Sequence, residues 1–433
     1  MEKTVFTDVY ILDGTGRMPF VGEVALKGNR IEAVGEGRIS VSRSGATLVD
    51  GTGAYLMPGL VESHVHLGLD NSNDIIALGA LPPEEHTLLA MRNAKLYLDH
   101  GFTSCISAGA VKPRLDIVIR NAINAGHIPG PRLLASTPWL TVTGGLVDMN
   151  LLHMKREAIA IVLDGPDAYR RTVRELIREG VDVVKLVVSG DTGIPYADSR
   201  HTVMTEAEVA AAAEETLSRE RRFNVHARSA ESVKRAVRHG ASIVYHATFA
   251  DDEALDLLET HRDRLFVSPN IGYTAALVTA TGADLPDRAQ QHAIFQGELE
   301  ASRRSLKALR KRGIRLLGGG DYGFEATPHG GNARDIEHFV TLFGFTPMEA
   351  ILTMTRNGGE AMGTDIPLGQ IKKGYLADLL LVDGNPLEDV RLLQDPAHLI
   401  AIMKDGKFHK APSVAAKTTT KDRTKPFAQK KSA

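Results

Sequence analysis

Two histidines two residues apart, His64 and His66, close the stretch Leu56-Met57-Pro58-Gly59-Leu60-Val61-Glu62-Ser63-His64-Val65-His66. In a strand, side chains i and i+2 project from the same face. A strand starting after the Pro-Gly break therefore sets both imidazoles side by side, where they can share one cation. Neutral imidazole is the commonest metal ligand, yet the same spacing also suits two polar residues at a strand end, and the pair alone does not decide. Further residues bear on it. Lys185 lies inside Val183-Val184-Lys185-Leu186-Val187-Val188, His226 and His246 each end an apolar β-branched run, and Asp321 follows Gly318-Gly319-Gly320.

Lys185 is the unusual member. An ammonium among valines and leucines is costly to bury. On an edge strand it can escape to solvent; in a central parallel strand it must be neutralised, paired or modified. Carbon dioxide adds to a neutral amine to give a carbamate, whose two oxygens can bridge two cations. His226 and His246, on the next two strands, then read as the pair that binds a second ion. The glycines before Asp321 let the backbone approach closely, and an ordinary Gly-Asp turn is the alternative for that residue.

The elements that must position these residues follow in order. Short strands fill residues 1–57, separated by turns such as Asp13-Gly14-Thr15-Gly16 and Lys27-Gly28-Asn29. From residue 58 strands and helices alternate. Strands are predicted near Val61, 102–106, 132–135, 183–188, 223–226, 242–246, 265–268 and 314–317. Helices are predicted over 84–100, 115–125, 166–179, 230–238, 254–261 and 295–312, with another opened by a Thr205–Glu208 capping box. About eight β-then-α units argue for an α/β fold, a (β/α)8 TIM-like barrel with helices outside. Functional groups of such a barrel belong at the C-terminal ends of its strands, where most of these residues fall. A closing helix is expected over 347–362. Strands return at 369–371, 378–382 and 400–403, and complete a small β-sandwich built from both chain termini. The expected domains are 1–57 and 365–410 for the two parts of the sandwich, 58–364 for the barrel, and 411–433 for a disordered tail of Ala, Thr and Lys.

Composition narrows the function classes. Of 433 residues, 43% are hydrophobic and 24% charged, which is ordinary for a soluble globular chain. A net charge of −2 gives no argument for nucleic acid or an anionic membrane. The one cysteine, Cys105, rules out a disulfide framework within the chain. The first residues lack the apolar run of a signal peptide, and no stretch approaches the roughly 20 apolar residues of a membrane span. A cytoplasmic enzyme acting on a small molecule is expected.

These residues resemble the amidohydrolase superfamily of metal-dependent hydrolases. The likeness runs through Pro58-Gly59-Leu60-Val61-Glu62-Ser63-His64-Val65-His66, Gly101-Phe102-Thr103-Ser104, Val184-Lys185, His226-Ala227, His246 and Gly320-Asp321, and closes with Leu368 to Leu379 and Asp383-Gly384-Asn385-Pro386-Leu387. The local sequences are most like the branch of prolidase-like and imidazolonepropionase-like enzymes, which also holds hydrolases of N-acyl amino acids, phenylureas and thiocarbamates. The resemblance implies two divalent ions, zinc by default with manganese or cobalt as alternatives. His64 and His66 would hold one, His226 and His246 the other, and carboxylated Lys185 would bridge them. Asp321 would bind the first ion, take the proton of the attacking water and pass it to the leaving nitrogen. The implied reaction is cleavage of a C–N bond in an amide, urea or carbamate. A homo-oligomer is expected by the same analogy.

Departures from the family pattern concern the pocket. Dipeptide-cleaving relatives usually carry a histidine after Thr-Gly-Gly; here Leu146 follows Thr143-Gly144-Gly145. Arg228 follows His226-Ala227 where relatives often have histidine, and Tyr245 precedes His246 where they often have glutamate. Together with His329, these are the candidate substrate contacts, on or beside loops at 139–150, 191–201, 270–280 and 325–334. Leu146 favours a less polar acyl group or an aryl leaving group. Arg228 could recognise a carboxylate bidentately. The expected substrates are N-aryl ureas or carbamates, or N-acyl amino acids; an Xaa-Pro dipeptidase or a mononuclear deaminase-like enzyme of the same fold are the alternatives.

Overall fold

The computed structural model describes residues 2–192, 194, 196–281, 288–363 and 365–412; from residue 413 on, the tail predicted to be disordered lies outside them. Five strands come first: β1 (Lys3–Ile11), β2 (Phe20–Lys27), β3 (Arg30–Glu36), β4 (Ala46–Asp50) and β5 (Ala54–Pro58). Next are β6 (Leu60–Val65), α1 (Ile75–Ala80), α2 (Pro83–Asp99), β7 (Phe102–Ser107), α3 (Leu115–Asn124), β8 (Arg132–Leu134), β9 (Trp139–Thr141) and β10 (Ala160–Val162). The alternation continues with α4 (Pro166–Glu179), β11 (Val183–Val187), α5 (Glu206–Leu217), β12 (Arg222–Ser229), α6 (Ala230–Arg238), β13 (Ile243–Phe249), α7 (Asp252–Thr260), β14 (Phe266–Ser268), α8 (Ile271–Thr281) and α9 (Ala289–Lys311). Helices α10 (Arg334–Phe343), α11 (Pro347–Met354) and α12 (Arg356–Met362) lead to β15 (Leu379–Asp383), β16 (Leu399–Lys404) and β17 (Lys407–Lys410).

The two ends of the chain make one sheet, ordered β17-β16-β15-β5-β1-β2-β3, with β4 also paired to β1. It has its own core, including Phe6, Val24, Leu26, Leu56, Leu379, Leu381 and Met403. Neither end could bury such a core alone, and β5, paired to β1 on one side and β15 on the other, joins them.

The central strands are all parallel, in two arcs: β6-β7-β8 and β10-β9-β11-β12-β13-β14. The residues just beyond β8 join the arcs, because Thr137 N donates to Val183 O at 3.0 Å and Asp182 N to Ala135 O at 2.8 Å. Helices pack outside, and a continuous apolar core fills the space between. At β6 the chain passes so near β7 that a Cβ on Gly59 would lie 2.2 Å from Thr103 Oγ1, so only glycine fits the turn.

Several expectations are revised. The strand predicted at 314–317 is reduced to a bridge between Leu316 and Val267, because the glycines that follow offer no side chains to hold a pleated ladder. Among the described residues, that segment meets β6 through side chains, with Ser63 Oγ donating to Gly318 O at 2.8 Å. The closing helix predicted over 347–362 breaks at Thr355 (φ −119°, ψ −90°) into α11 and α12. The strand predicted at 369–371 is not formed, although Ile371 N does donate to Asp13 O at 2.9 Å. The pocket loop predicted at 270–280 is almost entirely α8. No helix among the described residues is long and apolar enough to cross a membrane.

Candidate metal centre

His64 lies in β6 and His66 one residue beyond it, and both are buried. Their Nε2 atoms are 3.1 Å apart, and Asp321 Oδ1 lies 3.5 Å from the first and 3.3 Å from the second. Three ligands at about 2.0–2.1 Å from a tetrahedral ion stand about 3.3 Å from one another, so the triangle has the size such an ion needs. His66 Nδ1 donates to Gly109 O at 3.0 Å. That bond puts the proton on Nδ1 and leaves the Nε2 lone pair facing the centre. Burial, with the Lys185 amine and His66 nearby, holds His64 well below its ordinary pKa and therefore neutral, as a ligand must be. The Asp321 carboxyl is held below the usual carboxylate range: burial alone would raise it, and His64, His66 and Lys185 outweigh that. A Cβ at Gly319 would stand 2.7 Å from Ser63 Oγ and 2.8 Å from Glu62 Oε1, so the glycine run is what lets Asp321 reach β6.

The second group comes from three adjacent parallel strands. Lys185 is 1% exposed, its Nζ lies 4.0 Å from the centre of the Tyr245 ring, and it has no hydrogen-bond partner among the described residues. Burial, against the pull of Asp321 and Asp191, brings its pKa down to about 7. His226 Nε2 donates to Gly190 O at 3.0 Å, which leaves Nδ1 with the lone pair. Burial, then Arg228 and Lys185, bring its pKa to about 3. Both ring nitrogens of His246 are buried and unpartnered among the described residues. The His226 and His246 rings are 4.5 Å apart, and those of His64 and His246 5.8 Å. Buried polar atoms left without partners are rare; three of them, on Lys185 and His246, lie in the cluster beside the His64–His66–Asp321 triangle. This donor set of imidazoles, a carboxylate and an amine fits divalent ions.

Sequence reasoning missed the residue that shapes this cluster. His246, Ala247, Asn270 and Asp321 all have left-handed backbones, with φ of 74°, 51°, 52° and 61°. Such conformations gather at functional sites and persist only when neighbours fix them. Asn270 is the neighbour: Oδ1 accepts from His246 N at 3.1 Å, and Nδ2 donates to Gly319 O at 2.6 Å. The available signal was an asparagine just after a strand, since asparagine tolerates this conformation. Trp139 was also missed; its ring packs 4.6 Å from that of His66.

The four predicted pocket residues take different places. Arg228 is buried and paired with Asp191 at 2.7 Å and Glu298 at 3.3 Å. Tyr245 lies under Lys185 and against His64, and its hydroxyl donates to Ser63 O at 2.9 Å. His329 has both ring nitrogens engaged, with Tyr97 Oη at 3.0 Å and Leu69 O at 3.1 Å. Leu146 is half-buried against the central core. A cavity of about 980 Å³ opens nearby, lined by Val111, Pro138, Met149, Leu151, Arg156 and Tyr196 among others. None of the six candidate ligands lines it.

The Amidohydrolase family model matches residues 55–408. The ochratoxinase of Aspergillus niger is 27% identical over 380 residues, spanning 83% of this chain and 76% of its own. A solved prolidase in complex with N-methylphosphonate-L-proline is 27% identical, with a TM-score of 0.83 over 94% of this chain and 100% of that one. The solved molinate hydrolase, at 22% identity and a TM-score of 0.77 over 99% of both chains, shares the fold. These neighbours imply a TIM-barrel-like architecture with a domain formed by the chain ends. The matched span includes every residue of the cluster, and the chain belongs to the amidohydrolase family, as a metal-dependent hydrolase acting on C–N bonds.

Proposed function

We propose that the chain hydrolyses an amide, urea or carbamate at a binuclear centre. In this reading His64, His66 and Asp321 hold one divalent ion, His226 and His246 hold the other, and carboxylated Lys185 bridges them. The observation that carries it is the Lys185 amine: buried, unpartnered among the described residues, and with a pKa of about 7. A large share of it is unprotonated at neutral pH, as addition of carbon dioxide requires; the new N–C bond releases one proton and leaves a carbamate. A mononuclear deaminase-like site has no use for such a bridge. When bound, the two ions lower the pKa of a water and polarise the substrate carbonyl. Asp321 then accepts the water's proton and delivers it to the leaving nitrogen, and Tyr245 seals the floor beneath Lys185 from solvent.

Zinc is the first choice of metal, with manganese and cobalt behind it. N-aryl ureas or carbamates and N-acyl amino acids are the leading substrates. A second reading, an Xaa-Pro dipeptidase, is supported by the likeness to the solved prolidase. The same proposal takes the architecture as a closed (β/α)8 barrel over 58–364, with 1–57 and 365–410 as a small sandwich, in a cytoplasmic homo-oligomer. The side-chain bond from Ser63 to Gly318 across the remaining gap supports closure.

The test combines metal analysis with a hydrolysis panel of dipeptides, N-acyl amino acids, phenylureas and carbamates. We expect about two ions per chain, with activity lost to a chelator and regained on adding metal back. Lys185→Ala should bind fewer ions and lose at least about 10²-fold in rate. A Lys185→Ala protein with two ions and full rate would sink the bridge.

A further inference from the structure

Arg228 stands two residues beyond His226 in β12, so both side chains project from the same face of the strand. It therefore lies one layer above the candidate ligands, on the side of the strand ends, where a substrate must enter. Its own partners are already in place. Nε meets Asp191 Oδ1 at 2.7 Å, while Nη1 is shared between Glu298 Oε2 and Thr248 Oγ1, each at 3.3 Å. Asp191 reaches back toward the centre, its Oδ2 4.0 Å from His226 Nε2. Arg228 and Glu298 are 2% and 4% exposed and the Asp191 side chain 16%, so water screens the cluster only weakly, from the Asp191 side. Burial alone would pull the guanidinium pKa down; Asp191 and Glu298 outweigh it and leave it raised.

The charges decide what this wall can accept. Bidentate capture of a carboxylate needs two parallel N–H groups free on one edge of the guanidinium. Here Nε already stands in ion-pair contact with Asp191 and Nη1 with Glu298, so among the described residues this one cation faces two carboxylic acids of the protein itself. A substrate carboxylate placed here would be a third anion. It must either displace Asp191, leaving that half-buried carboxylate without its partner, or remain unpaired itself. Both are unfavourable in a site shielded from water.

We infer that Asp191 makes this hydrolase select against substrates with a free carboxylate beside the scissile bond, and that its substrates are uncharged N-acyl or N-carbamoyl amines. The inference rests on the hydrolase reading above and narrows it, favouring ureas, carbamates and neutral amides over N-acyl amino acids and dipeptides.

Matched pairs test it on the full, metal-loaded chain. Turnover is compared for N-benzoyl-L-leucine and N-benzoyl-L-leucinamide. Binding is compared by calorimetry for the corresponding benzenesulfonyl pair, whose S–N bond resists this chemistry. The parent protein should favour the carboxamide by at least about tenfold in both readouts, and Asp191→Asn should shift the ratio toward the carboxylate by at least about tenfold. A ratio taken within one variant does not depend on how much of it is folded. Preference of the parent for the carboxylate overturns the inference. So does a ratio unmoved by Asp191→Asn, including failure of either protein to bind either member. Discrimination in binding without turnover of either benzoyl compound, or of any phenylurea or carbamate in the panel above, would defeat the hydrolase reading and leave the Asp191 selection standing.

Discussion

Asn270 acts as a brace between two ligand-bearing segments. One side chain holds both His246 N and Gly319 O, and so fixes the bends that aim His246 and Asp321 inward. Outer-shell partners of this kind typically change metal affinity by about 10–100-fold when removed. Asn270→Ala is expected to weaken metal binding by about that factor, read by chelator competition. Asn270→Gly separates bracing from backbone strain, because glycine accepts the left-handed φ and keeps neither bond. It should be as weak a metal binder as the alanine variant; recovery in the glycine variant would assign the effect to the backbone. The candidate ligands themselves were legible in the sequence, because each lies in or just beyond a short apolar or glycine run, and alternation tells which side chains of one strand share a face. Asn270 was not, since its importance lies in a φ angle that residue type only permits. Nor was the pairing of Arg228, whose carboxylates come from the loop after β11 and from α9, far off in the chain.

Elements were most legible where both ends carried a signal. Helix α4 runs from Pro166 to a left-handed Gly180, and α5 opens on a complete Thr205–Glu208 capping box, both as read from the sequence. Helix α8 was hidden because Ile271–Thr281 carries a glycine near its start, three threonines and a valine, all of weak helix propensity, and is held by packing. Helix α3 carries a testable conflict. Asp116 sits in its first turn, where the helix dipole favours an anion, but it is fully buried, and burial raises its pKa to about 6 despite hydrogen bonds that lower it. Its unfolded value is about 3.9. Between these values the folded state holds the proton more tightly, so stability falls as pH rises from about 4 through about 6. Above that window the charged form costs on the order of 3 kcal/mol. Asp116→Asn should therefore gain stability relative to the parent protein between pH 4.5 and pH 7.5. Thermal unfolding of both proteins at the two pH values checks it, and a difference that does not change with pH would contradict it.

At the scale of the whole molecule, Arg132 ties the parallel strands to the terminal sheet. From β8 it meets Asp378 at 2.6 Å and Asp405 at 2.5 Å, just before β15 and just after β16. Asp378 is 3% exposed, so removing the guanidinium strands a buried charge. Arg132→Ala should cost roughly 3–5 kcal/mol of unfolding free energy, measurable by denaturant titration, and Arg132→Ala with Asp378→Asn should recover part of it. A single variant within about 0.5 kcal/mol of the parent would show the tie to be dispensable. That the two termini share a sheet was legible from their strand-rich sequences, each too short to bury a core alone; the ion pairs that lock the sheet in place were not, because nothing local marks Arg132, Asp378 and Asp405 as neighbours.

The same sheet imposes an order on synthesis. Strand β5 waits for β15, and about 320 residues separate Pro58 from Leu379. A ribosome adding about 5–20 residues per second takes on the order of half a minute to make them. Throughout that time β5 presents an open, apolar edge, the feature that recruits other nascent chains into wrong sheets. Strands β1 to β4 can pair with one another and the parallel strands can pack as they emerge, while β5 is among the last to complete its pairing, so crowding on a polysome threatens the beginning of this chain more than its middle.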